Sequence, residues 1–362
     1  MKILLIEPYY GGSHRVWADG YKRSSDHDIT LLTMPAQFWK WRMQGAAVTL
    51  ARLFDEQGLC PDVILASDMF DLSTFLALTR NDTRSIPTAL YFHETQLTYP
   101  QNSRQKHGWQ YGFINYASAL AADTVFFNSN YHHDIFFKTL PNMLKHFADY
   151  NELQTVPQLQ EKSSVLPLGM DLQRFDPHYV EKTERSAPLI LWNHRWEADK
   201  NPTSFFSALY RLIEQGIDFR VAITGENFRR EPTEFIEAKE RLGERVLQYG
   251  YMPSFADYAR LLWQADYVVS TSNQDFFGGS IAEAIYCGCV PLLPQRLNYP
   301  YLIPEQAHKA CLYKGSGLFH TLLRHIVKNE IVDTGLLQSH VAQYDWSVMT
   351  QMYDEIIDNL SV

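Results

Sequence analysis

Residues 188–202, PLILWNHRWEADKNP, combine a short apolar run, a polar loop and a helix start. The apolar run, 189–193, has the length and composition of a buried strand in a parallel sheet. Asn201 followed by Pro202 predicts a helix start, because an Asn side chain can cap the first turn and proline is favoured at the first helical position. Gly216 is predicted to end that helix. Strand, loop and helix in this order form the unit of a doubly wound α/β domain.

The same unit recurs on both sides of this stretch. Amphipathic segments such as 46–54 and 111–121 predict helices between the apolar runs. Further strands are predicted at 220–224, 246–249, 267–270 and 290–293 in the second half, and at 3–6, 29–32, 63–66, 89–92, 125–128 and 165–168 in the first.

Two successive series of strands and helices predict two Rossmann-like doubly wound domains that face each other across a cleft. The predicted domains are residues 1–175 and 186–344, joined within the polar, proline-flanked segment 169–187. A helical pattern at about 347–360 predicts that the segment 345–362 packs back on the first domain.

Composition narrows the class of protein. The 362 residues are 46% hydrophobic and 20% charged, which is typical of a soluble globular protein. The apolar run near Met1 is too short for a signal peptide or a membrane span, so we expect no stable membrane association. A net charge of −9 argues against indiscriminate binding to nucleic acid. The four cysteines, Cys60, Cys287, Cys289 and Cys311, lack zinc-site spacing and are interpreted as reduced thiols of a cytoplasmic protein.

The loop after the 189–193 strand carries two cations. Arg195 and Lys200 suit a diphosphate, because arginine offers a planar fork of donors and lysine a point charge. A loop at the carboxyl end of such a strand faces the ligand crevice. The alternative is a solvated basic pair beside Glu197 and Asp199, and this loop alone leaves both interpretations open.

Residues 275–283, DFFGGSIAE, place one acid before a glycine turn and a second acid on the following helix. The turn, Gly278 and Gly279, leaves backbone amides near Ser280 available to an anion. Asp275 can reach a sugar hydroxyl, and Glu283 can accept both hydroxyls of a ribose. The alternative, acids placed to complement a helix dipole, leaves the Phe-Phe-Gly-Gly loop unexplained.

Two polar segments of the first half follow predicted strands. Residues 7–14, EPYYGGSH, lack the G-x-G-x-x-G fingerprint, which disfavours a nicotinamide enzyme, although paired glycines still allow close approach to a ligand. A tight turn with no ligand is the equally supported alternative. His93 can donate to a sugar oxygen, with Glu94 orienting or charging it, and a histidine satisfied by backbone is its alternative.

Two patterns that resemble metal sites are discounted. Asp26-His27-Asp28 precedes a strand and therefore lies at the edge away from the crevice. His132 and His133 are adjacent on a predicted helix and point in different directions. The sequence requires no metal and no cofactor other than the sugar donor.

The chain resembles the GT4 family of retaining glycosyltransferases, which have the GT-B fold. Arg195 and Lys200 match its donor-site signature, and so do Asp275 and Glu283, which are separated by seven residues. The first acid of that pair is usually glutamate and is Asp275 here. Further matches are VLPLGMD at 165–171 leading to Phe175, and FNS at 127–129.

A narrower resemblance is to the tRNA-queuosine α-mannosyltransferase family. It rests on five separated motifs: YYGGSH at 9–14, WKWR at 39–42, YFHE at 91–94, WNHRWE at 192–197 and EAIYCGC at 283–289. This resemblance implies transfer of mannose from GDP-mannose to the cyclopentenediol of queuosine in the anticodon of aspartate tRNA. It also implies that the first domain binds the acceptor and the second binds the nucleotide sugar.

The resemblance also implies roles for individual residues. Arg195 and Lys200 would hold the diphosphate, Glu283 the ribose, and Asp275 the sugar hydroxyls. His93 would lie by the sugar, with Gly11 and Gly12 closing over the donor. The acceptor would be met by Ser13, His14, Glu94 and the segment Trp39, Lys40, Trp41 and Arg42, whose indoles can stack on a base while the cations meet phosphate.

Three alternatives remain open at this stage. One is a GT4 enzyme with a glycan, lipid or small-metabolite acceptor. A second is a sugar-nucleotide epimerase, which would need a different set of acids. The third is a non-catalytic binder of sugar nucleotide or tRNA, which would have no need of all four of Arg195, Lys200, Asp275 and Glu283.

Overall fold

The computed structural model describes residues 1–98, 109–182, 185–226 and 231–360. The chain divides into two compact units. The first comprises Met1–Asp171 and Tyr344–Val362, and the second comprises Leu172–Gln343.

The first unit is built on a parallel sheet of six strands in the order β2-β1-β3-β4-β5-β6. Its strands are β1 (Lys2–Tyr10), β2 (Asp28–Pro35), β3 (Val63–Ser67), β4 (Thr88–Phe92), β5 (Thr124–Phe127) and β6 (Ser163–Val165). Its helices are α1 (Gly12–Ser24), α2 (Trp39–Glu56), α3 (Leu72–Leu78), α4 (Arg80–Thr83), α5 (Trp109–Ala121), α6 (Asn130–Leu144) and α7 (Thr155–Glu161).

The second unit repeats this plan with the strand order β12-β11-β10-β7-β8-β9. Its strands are β7 (Leu189–Asn193), β8 (Arg220–Thr224), β9 (Val246–Tyr249), β10 (Tyr267–Val269), β11 (Val290–Pro294) and β12 (Leu312–Tyr313). Its helices are α8 (Pro202–Glu214), α9 (Thr233–Leu242), α10 (Phe255–Gln264), α11 (Gly279–Tyr286), α12 (His308–Cys311), α13 (Leu318–Lys328) and α14 (Thr334–Ala342).

The last helix, α15 (Trp346–Leu360), belongs to the first unit. The hydroxyl of Tyr353 on this helix accepts from Trp17 Nε1 at 3.1 Å and donates to the carbonyl of Pro167 at 2.9 Å. Trp346 lies so close to Gly20 and Gly169 that a Cβ at either glycine would meet its ring within 2.3 Å. These contacts anchor the end of the chain to α1 and to the segment that follows β6.

Most of the predicted strands are confirmed, including 189–193, 220–224 and 246–249 with the predicted bounds. The parallel pairing of both sheets confirms the α/β class. The main differences are as follows. The strand predicted at 165–168 is at Ser163–Val165, the two-residue β12 was not predicted, and β1 and β2 extend to Tyr10 and Pro35. Asn201 precedes α8 as predicted but makes no capping hydrogen bond, because its backbone is left-handed with φ of 51°.

Within the described ranges, no helix combines the length and the apolar composition that crossing a membrane requires.

Candidate functional site

In the first unit, polar residues gather where the strand order reverses, between β1 and β3. Ligands of open α/β sheets bind outside the carboxyl ends of the strands at such a point. Asp68 comes directly after β3 and His93 directly after β4. The backbone N–H of His93 donates to Asp68 Oδ1 at 2.8 Å, which joins the ends of the two neighbouring strands.

Glu7 and His14 complete this cluster from β1 and α1. Glu7 is fully buried, and its Oε2 lies 3.1 Å from Nδ1 of His14 and 3.8 Å from Nε2 of His93. The two imidazole rings lie 4.3 Å apart between centroids. The sheet pairing of β1 shifts register between Glu7 and Tyr10, at the point where the strand leaves the regular ladder.

The two histidines have opposite pKa shifts. Burial alone would lower the pKa of His14, but the carboxylates of Glu7, Asp68 and Glu94 outweigh it and raise the pKa to about 9. Burial lowers the pKa of His93 well below its usual value, and the neighbouring His14 and His132 lower it further. At neutral pH this arrangement favours a cationic His14 beside a neutral His93.

The expected role of Glu94 needs correction. The carboxylate found near Nε2 of His93 is that of Glu7, whereas Glu94 Oε1 accepts from the Gln96 side chain at 2.7 Å. Glu94 acts on His14, whose pKa it helps to raise. Glu7 is not among the site residues that the sequence predicts. A fully buried acid near a strand end is the signal that points to it.

Gly11 and Gly12 of the opening loop are glycines for different structural reasons. A Cβ on Gly11 would meet the Cβ of Ala36 at 2.5 Å, so this glycine permits close packing against the segment after β2. Gly12 has φ of 53° with open space around it, and Ser13 beside it is exposed. Backbone at Gly12 and the side chain of Ser13 therefore remain available to a ligand, as their predicted roles require.

The segment 39–42 forms the first turn of α2. Trp39 and Trp41 are exposed, by 36% and 60%, and Lys40 Nζ lies 5.6 Å from the centre of the Trp39 ring. Arg42 differs from its expected role at phosphate. It is buried and donates through Nε and Nη2 to the carbonyl of Pro35, at 3.2 and 2.9 Å, so it holds α2 on the end of β2.

The described residues contain one group with the spacing of metal ligands, Glu7, His14 and His93, whose ligand atoms lie within 4.8 Å of one another. Both Glu7 oxygens already have N–H partners: Oε1 accepts from the backbone of Tyr9 at 2.8 Å, and Oε2 pairs with His14. A cationic His14 balances the carboxylate charge. We therefore interpret the group as an ion pair beside a neutral histidine.

The histidines of the two patterns that we discounted as metal sites contact other groups. His27 Nδ1 lies 3.4 Å from the amino group of Met1, and its Nε2 lies 3.9 Å from Asp354 on α15. His132 is buried with Nδ1 3.0 Å from Asn128 Oδ1, while His133 is partly exposed and pairs with Asp134.

In the second unit, the strand order reverses between β7 and β10, and the predicted donor-site residues follow these two strands. The loop 194–200 is tied to the loop after β10, because Asn273 N–H donates to the Asp199 carbonyl at 2.7 Å. The hydroxyl of Thr271 donates to the Lys200 carbonyl at 2.8 Å. The structure thus brings the two segments together at the carboxyl edge of the sheet.

The two cations of this loop are held differently. Lys200 is mostly buried, and its ammonium group donates to the Gln274 carbonyl at 2.7 Å and pairs with Asp199 at 3.1 Å. The Arg195 side chain is 49% exposed and pairs with Glu197 at 3.3 Å. Lys200 is therefore held next to Asp275, whereas about half of the Arg195 side chain is exposed and open to contact with a diphosphate.

Asp275 and the start of α11 form the other wall of this site. The Tyr299 hydroxyl donates to Asp275 Oδ2 at 3.0 Å and accepts from Ser270 at 2.8 Å. Gly278 is left-handed with φ of 96° and directs the chain into α11. The first amides of α11, at Gly279 and Ser280, have no helical acceptor, which is the geometry of an anion site.

Glu283, on α11, is held by two residues that sequence reasoning missed. Arg174 Nη2 contacts Glu283 Oε1 at 2.8 Å, and the Tyr258 hydroxyl donates to Oε2 at 3.2 Å. Burial and the Glu283 charge raise the pKa of Tyr258 well above its usual value, so the hydroxyl keeps its proton. Arg174 lies 4.4 Å from the centre of the Phe255 ring. No local pattern identifies either partner, since they lie 109 and 25 residues away in the chain.

Comparison with known proteins gives the following likenesses. Residues 2–170 match a family model described as tRNA-queuosine alpha-mannosyltransferase N-terminal, and residues 178–330 match Glycosyl transferases group 1. A tRNA-queuosine alpha-mannosyltransferase of Drosophila melanogaster is 33% identical over 84% of this chain and 82% of its own length. A GDP-mannose:cellobiosyl-diphosphopolyprenol alpha-mannosyltransferase of Xanthomonas oryzae is 22% identical over 55% and 53%, respectively.

Two solved structures illustrate the fold. HepE of Anabaena, in complex with UDP-glucose, superposes with a TM-score of 0.69 at 16% identity and covers 99% of this chain and 100% of its own. The N-terminal domain of a Candida albicans trehalose-6-phosphate phosphatase gives 0.72 at 12% identity, covering 100% and 97%. At these identities the likeness concerns the fold, and the expected GT-B class is confirmed.

Proposed function

The chain belongs to the tRNA-queuosine α-mannosyltransferase family of glycosyltransferases, and we propose on that basis that it transfers mannose from GDP-mannose to queuosine in the anticodon of aspartate tRNA. The observation that carries this proposal is the 33% identity to the Drosophila enzyme over most of both chains. The family-model match over 2–170 adds support from the half for which we propose acceptor binding.

The proposed donor site lies in the second unit. Arg195, Lys200 and the first amides of α11 would bind the diphosphate, Glu283 the ribose, and Asp275 the sugar hydroxyls. The Lys200 ammonium held at the Gln274 carbonyl and the half-exposed Arg195 side chain support a site for two phosphates. Asp275, one carbon shorter than the usual glutamate, is oriented by Tyr299, which supports a defined contact to the sugar.

The proposed acceptor site uses residues of the first unit. Ser13, His14 and Glu94 would contact the cyclopentenediol, with Trp39, Lys40 and Trp41 on the surrounding anticodon loop. The exposed indoles at the start of α2 support stacking on bases. Arg42 is excluded from phosphate contact in this proposal, because its guanidinium is held by Pro35.

The proposed mechanism is retaining and needs no metal. The bond between the anomeric carbon and the diphosphate oxygen breaks while Arg195, Lys200 and the α11 amides stabilise the charge on the leaving group. The acceptor oxygen forms its bond to the same face of the sugar, and its proton passes to the leaving phosphate oxygen. His93 and the backbone at Gly11 and Gly12 would contact the sugar donor.

A cytoplasmic location is part of the same proposal. All four cysteines are free thiols, three of them buried, which suits a reducing compartment.

A GT4 enzyme with a lipid-linked acceptor is the second candidate, favoured by the 22% identity to the Xanthomonas enzyme. That likeness covers only 55% of this chain. The two candidates differ in acceptor and share the donor site, so one acceptor comparison separates them.

The test is nucleoside mass spectrometry of queuosine-containing tRNA after incubation with the purified protein and GDP-mannose. The proposal predicts a hexose added to queuosine in aspartate tRNA and no addition to a tRNA that carries guanine at that position. UDP-glucose in place of GDP-mannose tests the donor. Turnover of GDP-mannose without a tRNA adduct, together with labelling of a polyprenyl-linked acceptor, would favour the second candidate.

A further inference from the structure

Glu7 is an unusual residue for a buried strand. Its carboxylate is fully buried, in a strand whose other residues from Ile3 to Ile6 are apolar. A buried carboxylate is costly unless it is paired and hydrogen-bonded, and both Glu7 oxygens are engaged by Tyr9 and His14. The fold therefore keeps this acid for a purpose that an apolar side chain would not serve.

His93 is held rigidly next to this acid. Its N–H donates to Asp68, and its carbonyl accepts from Asn128 Nδ2 at 2.8 Å. Its ring packs edge-on to Trp17, with centroids 4.6 Å apart, and against His14.

One polar atom of this cluster stands out. Nε2 of His93 is buried and has no hydrogen-bond partner among the described residues, and the Glu7 oxygen at 3.8 Å is beyond hydrogen-bonding distance. Buried polar atoms are almost always paired, so an exception calls for an explanation.

We propose that Glu7 is the positioning residue of this cluster. It holds the His14 imidazole against His93 and so leaves Nε2 of His93 to bind a hydroxyl of the reacting sugar or of the acceptor. This inference rests on the proposed glycosyl transfer and adds a residue to it. Glu7 touches no substrate and acts through the two histidines.

The charges around the pair agree with this role. Asp68 and Glu94 face His14 from the ends of β3 and β4, and His132 faces His93 from α6. With His14 paired to Glu7, a second proton on His93 is disfavoured, so Nε2 can accept from or donate to a hydroxyl without carrying a full charge.

Glu7→Gln is the informative substitution, because it keeps the shape and an oxygen for Tyr9 N–H but removes the charge. We expect kcat to fall by about 10²-fold, with the affinity for GDP unchanged because the GDP contacts are proposed in the second unit. In ¹⁵N-histidine NMR, the ring signals of His14 and His93 should both shift. Substitution of either histidine assigns these signals among the 13 histidines of the chain.

The matched control is Glu56→Gln, which removes an exposed carboxylate of the same unit, paired with Arg52. It should leave both kcat and the two histidine signals as in the wild type. His14→Asn breaks the pair from the other side, and the double variant should be no slower than the slower single variant, since the two residues act as a unit. Independent, multiplying effects would contradict the proposal.

If Glu7→Gln does not fold, ligand titrations of the wild-type protein still test the proposal. The His93 ring signal should shift on addition of GDP-mannose or of the queuosine nucleoside, and no shift with either would overturn the proposal. Elemental analysis tests the alternative that the cluster binds a metal. One equivalent of a divalent transition metal in the wild type, lost in His14→Asn, would also overturn the proposal. Elemental analysis and the spectra of the free protein need no acceptor. They therefore test the role of Glu7 even if the protein fails to transfer mannose to queuosine.

Discussion

At the scale of single residues, the two proposed phosphate-binding cations differ in how the fold holds them. Lys200 is mostly buried and donates to the Gln274 carbonyl, so its removal would delete a buried hydrogen bond and an ion pair with Asp199. Arg195 makes a half-exposed ion pair with Glu197. Such pairs contribute little to stability, so Arg195 is the cleaner probe of function.

We expect Arg195→Ala to lower kcat by about 10²-fold or more, because it removes charge stabilisation that is greatest as the diphosphate leaves. The affinity for GDP-mannose should change much less, and the melting temperature should stay near that of the wild type. Steady-state kinetics and donor-binding calorimetry measure both effects. Arg241→Ala is the control, since Arg241 is similarly exposed and paired with Glu214; an unchanged kcat in Arg195→Ala would contradict the proposed role.

His14 should make stability depend on pH. Its pKa in the folded chain is about 9, above its ordinary value of 6.5, so the ion pair stabilises the fold fully below pH 6.5 and loses this effect as the pH rises through 9. The shift corresponds to at most about 3 kcal/mol. The difference in unfolding free energy between the wild type and His14→Asn, measured from pH 6 to 10, should shrink with rising pH. A pH-independent difference would show that His14 is not cationic.

At the scale of elements, α2 begins with aromatic side chains on its exposed turn and carries the apolar residues Met43 and Leu50 on its buried face. Phe38, which precedes the helix, is left-handed and 74% exposed. Arg42 ties this turn to β2, so the aromatic turn is rigidly placed. A rigid, exposed aromatic surface is suited to stacking on unpaired bases.

Trp41→Ala should weaken binding of queuosine-containing tRNA by about 1–3 kcal/mol, the usual contribution of one stacked base. Val48→Ala, at an equally exposed apolar position on the same helix, should leave binding unchanged. Fluorescence anisotropy with labelled tRNA measures both. Equal affinity in the Trp41 and Val48 variants would remove α2 from the acceptor site.

A second element-scale feature is the docking of the segment 173–178 on α11. Arg174 pairs with Glu283, and the Tyr286 hydroxyl donates to Asp176 at 2.9 Å. This docking orients the Glu283 carboxylate before any nucleotide binds.

Arg174→Gln should therefore weaken GDP binding by about 1–2 kcal/mol, because a freed Glu283 must be ordered by the ribose. For a guanosine diphosphate that lacks both ribose hydroxyls, the same substitution should weaken binding much less. Isothermal calorimetry with the two nucleotides makes the comparison. If Arg174→Gln weakens the binding of both nucleotides equally, Arg174 acts on the base or the phosphates and not through the ribose.

At the scale of the whole molecule, the chain returns to its first unit after completing the second. The hydroxyl of Tyr353 on α15 is bonded to Trp17 and Tyr91, both buried, and Asp354 accepts from Tyr21 and Ser25. The first unit is thus completed by residues more than 300 positions away in sequence from α1.

Removing residues 344–362 should destabilise the first unit by several kcal/mol, because Trp17 and Tyr21 lose buried hydrogen-bond partners and packing. Circular dichroism should show a lower first unfolding transition. Val348→Ala, an exposed position on α15, is the control and should leave the transition unchanged. Equal stability of the truncated and full chains would contradict this account of α15.

Much of the molecule could be predicted from its sequence. Apolar runs bounded by polar loops identify nearly all the strands, because a strand covered on both faces must be apolar along its whole length. The sequence also predicts that the candidate residues lie at the carboxyl edge of each sheet, because they come directly after predicted strands and parallel strands end at the same edge. The bounds predicted for β6, 165–168, were wrong because Leu166 and Leu168 are buried beyond the end of the strand, where burial alone gives the same apolar pattern.

By itself, then, the sequence determined the α/β class, the two series of strands, the loops that carry Arg195, Lys200, Asp275 and His93, and the helix that carries Glu283. The tertiary structure decided which groups meet: Glu7 with His14 and His93, Arg174 and Tyr258 with Glu283, and Arg42 with the carbonyl of Pro35. The physical reason is that periodicity and turn chemistry act over a few residues. Pairing of buried charges depends on groups brought together from distant parts of the chain.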